Sequence, residues 1–153
     1  MRTLLSLGIL SAAVVAVAAG LVASSASAGA AAPQAGATLT IRSSSYGRIL
    51  FDGRGRALYA FTRDRGKQSR CYGACAAAWP VYYAKGRLRA SAGVKQSLLG
   101  TTRRRDGRLQ VTYAGRPLYY YVGDRSPGQV RCQNVVEFGG TWLVVRPSGQ
   151  LVR

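Results

Sequence analysis

The apolar positions of this chain fall into two regimes. From Leu4 to Val22 they run together, and from about Leu39 onward they come in short runs broken by turn residues. The second regime predicts strands. Arg48-Ile49-Leu50-Phe51 reads as a strand, Asp52-Gly53-Arg54-Gly55 as turn chemistry, and Leu58 to Thr62 as the strand that returns. Leu109 to Tyr113, Ala114-Gly115 and Pro117 to Val122 read the same way, with Pro117 placed where a missing N–H does least harm. Further strands are expected at Leu39 to Arg42, Val81 to Tyr83 and Thr141 to Arg146, and only Ala74 to Trp79 reads as helix. The expected fold class is all-β, mainly antiparallel: a small single domain of two pseudo-equivalent hairpin repeats with one short helix near 74–79.

The two hairpins are copies. A shift of 60 residues lays Gly47-Arg48 on Gly107-Arg108, Gly55-Arg56 on Gly115-Arg116, Leu58-Tyr59 on Leu118-Tyr119 and Asp64 on Asp124. Phe61 meets Tyr121, and no gap is needed. Copies of this kind predict two similar units packed together, with repeats at about 46–80 and 106–146. Alternation puts Tyr59 and Phe61 on one strand face, and Leu58, Ala60 and Thr62 on the other. Tyr119 and Tyr121 likewise oppose Leu118, Tyr120 and Val122. Both faces are mostly apolar, so the motif aromatics are expected in the core with their hydroxyls bonded. The functional alternative is an open aromatic face, Tyr59, Phe61, Tyr119 and Tyr121, that stacks a flat ligand or a sugar.

The first regime reads as an export signal. Arg2 supplies the positive start, Leu4 to Val22 the apolar stretch, and Ala26-Ser27-Ala28 the small-x-small cleavage pattern. The competing reading is a retained membrane anchor, disfavoured by Gly8 and Gly20 within the run. Residues 1–28 are therefore expected to be a signal peptide, 29–37 a disordered Ala/Gly/Pro/Gln lead-in, and 38–153 a single β-rich domain. A secreted, periplasmic or cell-envelope location follows. No Cys lies near the segment, so no lipid anchor is expected.

Composition narrows the chemistry. Lys and Arg number 22 against 5 Asp and Glu, a formal charge of +17, of which only Arg2 would leave with the signal. Such a field attracts polyanions in a salt-dependent way. The basic residues are spread along the chain apart from Arg103-Arg104-Arg105, which argues against a dedicated nucleic-acid module. The expected partners are anionic envelope polymers or lipid headgroups. There is no His, which removes Ser-His-Asp and Cys-His catalysis, His-ligated zinc and the usual haem attachment. No catalytic constellation, metal site or cofactor is identified.

Asp64 and Asp124 each end a returning strand before a Gly-containing turn, where a carboxylate accepts backbone N–H bonds and fixes the chain. A carboxylate pair for hydrolysis is the sharper alternative, with Asp106 as a third candidate. The three cysteines leave the pairing open. Export makes a disulfide the default. Joining Cys71 to Cys75 would constrain the unfolded chain by about 2 kcal/mol, and joining either to Cys132 by about 4 kcal/mol. One thiol is left over, to be buried, reactive or bonded to a second chain.

The doubled Leu-Tyr-x-aromatic-x-x-Asp resembles the secreted-repeat family of predicted bacterial lipoproteins with a Tyr-x-(Phe/Trp/Tyr)-x-x-Asp motif. Cys71-Tyr72-Gly73-Ala74-Cys75-Ala76-Ala77-Ala78-Trp79-Pro80 resembles the family's Cys-x-Gly-x-Cys-Ala-x-x-Trp-Pro segment. Arg105-Asp106-Gly107, Gln110-Val111-Thr112-Tyr113, Gly115 to Tyr119 and Gly140-Thr141-Trp142-Leu143-Val144-Val145 resemble its second half. The resemblance implies an exported, β-rich, repeat-containing protein whose function is largely unassigned, and it favours Cys71–Cys75 as the disulfide, leaving Cys132 unpaired. The chain departs from the family in lacking a lipid-modified Cys, in having Val81 where a second Pro is usual, and in having Cys132 where Gly is usual.

These readings favour a non-catalytic envelope or extracellular protein that binds anionic polymers through a surface including Arg103, Arg104 and Arg105. The alternative is a redox or cofactor-associated exported protein using the Cys pair and the aromatic strands.

Overall fold

A computed structural model describes residues 39–153. The expected signal peptide and lead-in lie outside the described residues. Leu39–Ser44 (β1) and Gly47–Asp52 (β2) form an antiparallel hairpin, in register from Leu39↔Asp52 to Ser44↔Gly47. Its turn is held by Ser44, whose hydroxyl accepts from Tyr46 N–H and donates to the Gly47 carbonyl. The same hairpin recurs 60 residues on. Leu99–Arg103 (β4) pairs with Leu109–Tyr113 (β5) from Leu99↔Tyr113 to Arg103↔Leu109. Strand β4 is absent from the sequence-based expectation, because Leu-Gly-Thr-Thr-Arg carries one large apolar residue and no alternation. The repeat therefore begins at Leu39 and Leu99, earlier than the expected 46 and 106.

Tyr59–Phe61 (β3), Arg116–Pro117 (β6), Val135–Glu137 (β7) and Gly140–Val144 (β8) complete the strands, and Ala74–Ala78 (α1) is the short helix. They make three small sheets, β1-β2, β3-β8-β7 and β4-β5-β6. The fold is all-β and mainly antiparallel, with two repeats, as expected.

The pairing inside each repeat needs correction. The chain does reverse after β2, where Asp52 N–H reaches the Arg56 carbonyl and Leu58 N–H the Leu50 carbonyl. Strand β3 then leaves its own repeat and pairs with β8, Tyr59↔Val144 to Phe61↔Trp142. Its other edge meets the second motif: Tyr59 and Tyr119 exchange reciprocal N–H···O=C bonds, both 2.9 Å. In the second repeat β6 stays with β5 for only two residues, consistent with the missing donor of Pro117. Fully buried strands need partners on both edges, and here those partners come from the other repeat. Val81 to Tyr83 is an extended bridge to Tyr119 and Gln110 rather than a strand of its own.

The predicted alternation holds. Tyr59, Phe61 and Tyr119 enter one core with Trp79, Trp142, Ile49, Phe51 and the three cysteines. Leu58, Ala60 and Leu118 enter a second with Leu39, Leu50, Val111, Tyr113 and Val145. The motif strands lie between two cores. Close crossing needs Gly140, where a Cβ would sit 2.6 Å from Phe61 Cε2. The hairpin tip Ala114–Gly115 has positive φ at both residues, 49° and 72°, which glycine tolerates at one of them without strain.

Candidate functional site

The reciprocal Tyr59–Tyr119 bond sets two motif tyrosines side by side, and their hydroxyls reach across to the opposite repeats. Tyr59 O–H donates to Asp124 Oδ2 at 2.7 Å, and Tyr119 O–H to Asp64 Oδ2 at 2.8 Å. Each carboxylate uses its other oxygen to close its own loop. Arg70 N–H donates to Asp64 Oδ1 at 2.7 Å, and Arg131 N–H to Asp124 Oδ1 at 2.9 Å. The motif Asp residues thus fix loop backbone and also brace the opposite repeat.

Around these braces the rings repeat the symmetry. Trp79 stacks on Trp142 at 4.0 Å, with planes 2° apart. Phe61 stacks on the outer face of Trp142 at 4.1 Å, and Tyr121 tilts over Trp79 at 4.7 Å. Tyr59 meets Trp79 edge-on at 5.2 Å, and Tyr119 meets Trp142 at 5.1 Å. Tyr59, Phe61, Asp64, Cys71 and Trp79 therefore correspond in place to Tyr119, Tyr121, Asp124, Cys132 and Trp142.

Burial governs the electrostatics. Desolvation pushes the Asp64 carboxyl up to about 6, against the opposing pull of Arg70 N–H, Tyr119 O–H and the Arg104 charge. Desolvation also raises Asp124, opposed by Tyr59 O–H and Arg131 N–H. Burial first, and then the neighbouring carboxylates, hold Tyr59 and Tyr119 far above the ordinary phenol value, so both stay protonated.

One half carries an extra chain of bonds. Arg104 Nη1 donates to Ser69 Oγ at 2.6 Å and to Gln110 Oε1 at 2.7 Å, and Nη2 to the Cys71 carbonyl at 2.7 Å. Ser69 Oγ lies 2.8 Å from Tyr119 Oη, linking the guanidinium to Asp64 without direct contact. The Arg104 guanidinium also lies over the Tyr72 ring at 4.2 Å, and its buried Nε has no hydrogen-bond partner.

These placements correct the candidate binding surface. Tyr59, Phe61 and Tyr119 are 0%, 3% and 0% exposed, with other rings packed against them, so no open stacking platform exists on them. Tyr121 is half-buried. Arg104 is buried and engaged internally, which splits the Arg103-Arg104-Arg105 cluster. Arg103 and Arg105 are exposed, the first donating to the Gly107 carbonyl and the second lying over Tyr72. Cys71 and Cys75 form the disulfide, and Cys132 is a free, buried thiol that desolvation raises.

Sequence reasoning placed Arg104 on the binding surface, whereas it is buried, and it missed the tryptophan pair. A polar Gln110 within an apolar strand was the available sign of a buried polar cluster. Among the described residues no three Cys, Asp or Glu side chains converge as metal ligands. Asp106 makes an exposed ion pair with Arg108, 2.8 Å. A shallow cleft of about 410 Å³ is lined by Thr62, Arg116, Gln150, Leu151 and Arg153.

A family described as "Secreted repeat of unknown function" matches residues 40–82 and 100–146. The chain belongs to this family. The two matched segments are the two halves that the crossed braces join. No curated protein and no solved structure gave a match. No helix among the described residues is long and apolar enough to cross a membrane.

Proposed function

We propose that this secreted repeat protein is a non-catalytic module of the cell envelope or extracellular space that holds anionic polymers on an arginine-rich surface. The observation that carries the reading is where the carboxylates go. Asp52, Asp64, Asp124 and Glu137 are bonded to Tyr120, Tyr119, Tyr59 and Trp79, so they do not pair with surface cations. Only Asp106 makes an ion pair among the described residues. Every Lys and Arg from Arg42 onward except Arg56 and Arg104 is exposed.

Exposed guanidinium groups suit phosphate and carboxylate, which they bind through two parallel N–H bonds. The cleft between Arg116 and Arg153, with the Thr62 hydroxyl and the Gln150 amide in its lining, is a recess where one anionic group can sit. The competing redox reading through the Cys pair draws less support, since Cys71 and Cys75 are disulfide-bonded and buried in the core.

Retention of the protein on polyglycerol phosphate or heparin resin tests the proposal. Binding is expected at low salt and release at a few times ~0.1 M, where exposed charges are screened beyond about 10 Å. Arg116→Gln with Arg153→Gln is expected to move release to lower salt. Elution that ignores ionic strength would overturn the reading.

A further inference from the structure

The placement of the acids carries a second inference that goes beyond polymer binding. The chain has five acidic residues, and all five accept a hydrogen bond from a tyrosine or tryptophan, the exposed Asp106 from Tyr83 at 3.5 Å and the other four at 2.9 Å or less. Tyr59 donates to Asp124 at 2.7 Å, Tyr119 to Asp64 at 2.8 Å, Tyr120 to Asp52 at 2.9 Å, and Trp79 Nε1–H to Glu137 at 2.9 Å. As a way of holding hairpins together this is costly. Burying a carboxylate, as at Asp52 and Asp124, costs several kcal/mol, and apolar replacements often stabilise a core equally well. As a way of oxidising a ring it is apt. A phenol loses an electron easily only if its proton has somewhere to go, and a base at about 2.6–3.2 Å provides that.

The rings also form a connected path. Tyr121 is half-buried at one end and touches Trp79, which touches both Trp142 and Tyr59, while Trp142 touches Tyr119. Successive centroids are 4.0–5.2 Å apart. The far end of the stack is Phe61, which is buried and is the least oxidisable ring. The path thus has one outlet, at Tyr121.

We propose that this core is a one-electron donor that quenches oxygen- or peroxide-derived radicals outside the cytoplasm. The radical meets the stack at Tyr121 and is reduced to its anion by an electron drawn from Trp79 behind it, whose indole N–H is bonded to the Glu137 carboxylate. The vacancy passes from Trp79 to Tyr59, or onward through Trp142 to Tyr119. The phenol O–H bond breaks as the electron leaves, and its proton forms a new O–H bond on Asp124 or Asp64. The products are a neutral tyrosyl radical, a neutral carboxylic acid and the reduced oxidant, so charge and protons balance. The raised affinity of Asp64 for a proton makes it the better acceptor than an ordinary surface carboxylate.

The test is flash oxidation of the purified protein by photogenerated tris(bipyridyl)ruthenium(III), followed by electron paramagnetic resonance and transient absorption. A buried tyrosyl radical is expected, forming at least twofold more slowly in D2O. Tyr59→Phe with Tyr119→Phe is expected to abolish it. Asp64→Asn with Asp124→Asn is expected to slow it by about a hundredfold, the order contributed by a positioned base. Radical formed equally well in the double Phe variant, on surface tyrosines, overturns the proposal. The D2O comparison uses the unmodified protein, so equal rates in H2O and D2O overturn it even where a variant fails to fold.

Discussion

The two halves of this molecule share a brace and differ in what surrounds it. In each, a motif Tyr reaches the motif Asp of the other half, and a Trp stacks at the centre. Beyond that they diverge. Around Asp64 lie the Cys71–Cys75 disulfide, helix α1 and the buried Arg104–Ser69 chain. Around Asp124 the place of Cys71 is taken by the free thiol of Cys132. What is duplicated is therefore the machinery that joins the halves, and what has diverged is the support behind it.

The largest test of the shared part is the tryptophan pair. Trp79→Ala and Trp142→Ala are each expected to cost about 3–5 kcal/mol by urea denaturation, as for other buried Trp. Near-equal losses would confirm that the two rings hold equivalent places. A loss confined to one would break the symmetry, and Trp79→Ala carries the added effect of leaving Glu137 without its indole partner.

The next test separates the two carboxylates. Asp124→Ala leaves the buried Tyr59 hydroxyl and Arg131 N–H without their acceptor, and about 1–3 kcal/mol is expected. Asp64→Ala should cost less, because Asp64 is more exposed and Ser69 Oγ, 2.8 Å from Tyr119, can take over the phenol proton. Chemical denaturation of both variants and of Asp64→Ala with Ser69→Ala measures this. If Ser69→Ala adds nothing to Asp64→Ala, the Arg104–Ser69 chain is no reserve.

Much of this architecture was legible in the sequence. The 60-residue copy and the strand alternation survived because turn glycines, motif tyrosines and terminal aspartates are kept at fixed spacing. Strand pairing was less legible. Tyr59 and Tyr119 bond to each other across 60 residues, and nothing local to either says so. The tryptophan equivalence was hidden because the offset drifts from 60 at the motif to 63 at Trp79 and Trp142. Arg104 was misread because Arg is usually exposed, and only its neighbours show it to be buried. The Asp residues were read correctly as loop-fixing, but their tyrosine partners come from the opposite repeat.

The smallest expected effect is the one with the least intuitive sign. Asp64 has its carboxyl raised from 3.8 to about 6 on folding, so the fold penalises its charged form. Its contribution to stability is fully present below the unfolded value of 3.8 and is lost as pH rises through about 6. Asp124, raised in the same direction by desolvation, works with the same sign. Asp106, lowered by its bonds to Arg108, works oppositely and loses its contribution as pH falls, but it is fully exposed and weak. Net stability should therefore rise on acidification from about pH 7.5 to about pH 5, by on the order of 1 kcal/mol once solvent screening is allowed for. Asp64→Asn, which cannot titrate, should flatten that slope in urea midpoints taken across the range, while Asp106→Asn leaves it unchanged or slightly steeper. A slope that survives Asp64→Asn intact would assign the titration to the Asp124 half and reverse the ranking of the two carboxylates drawn above.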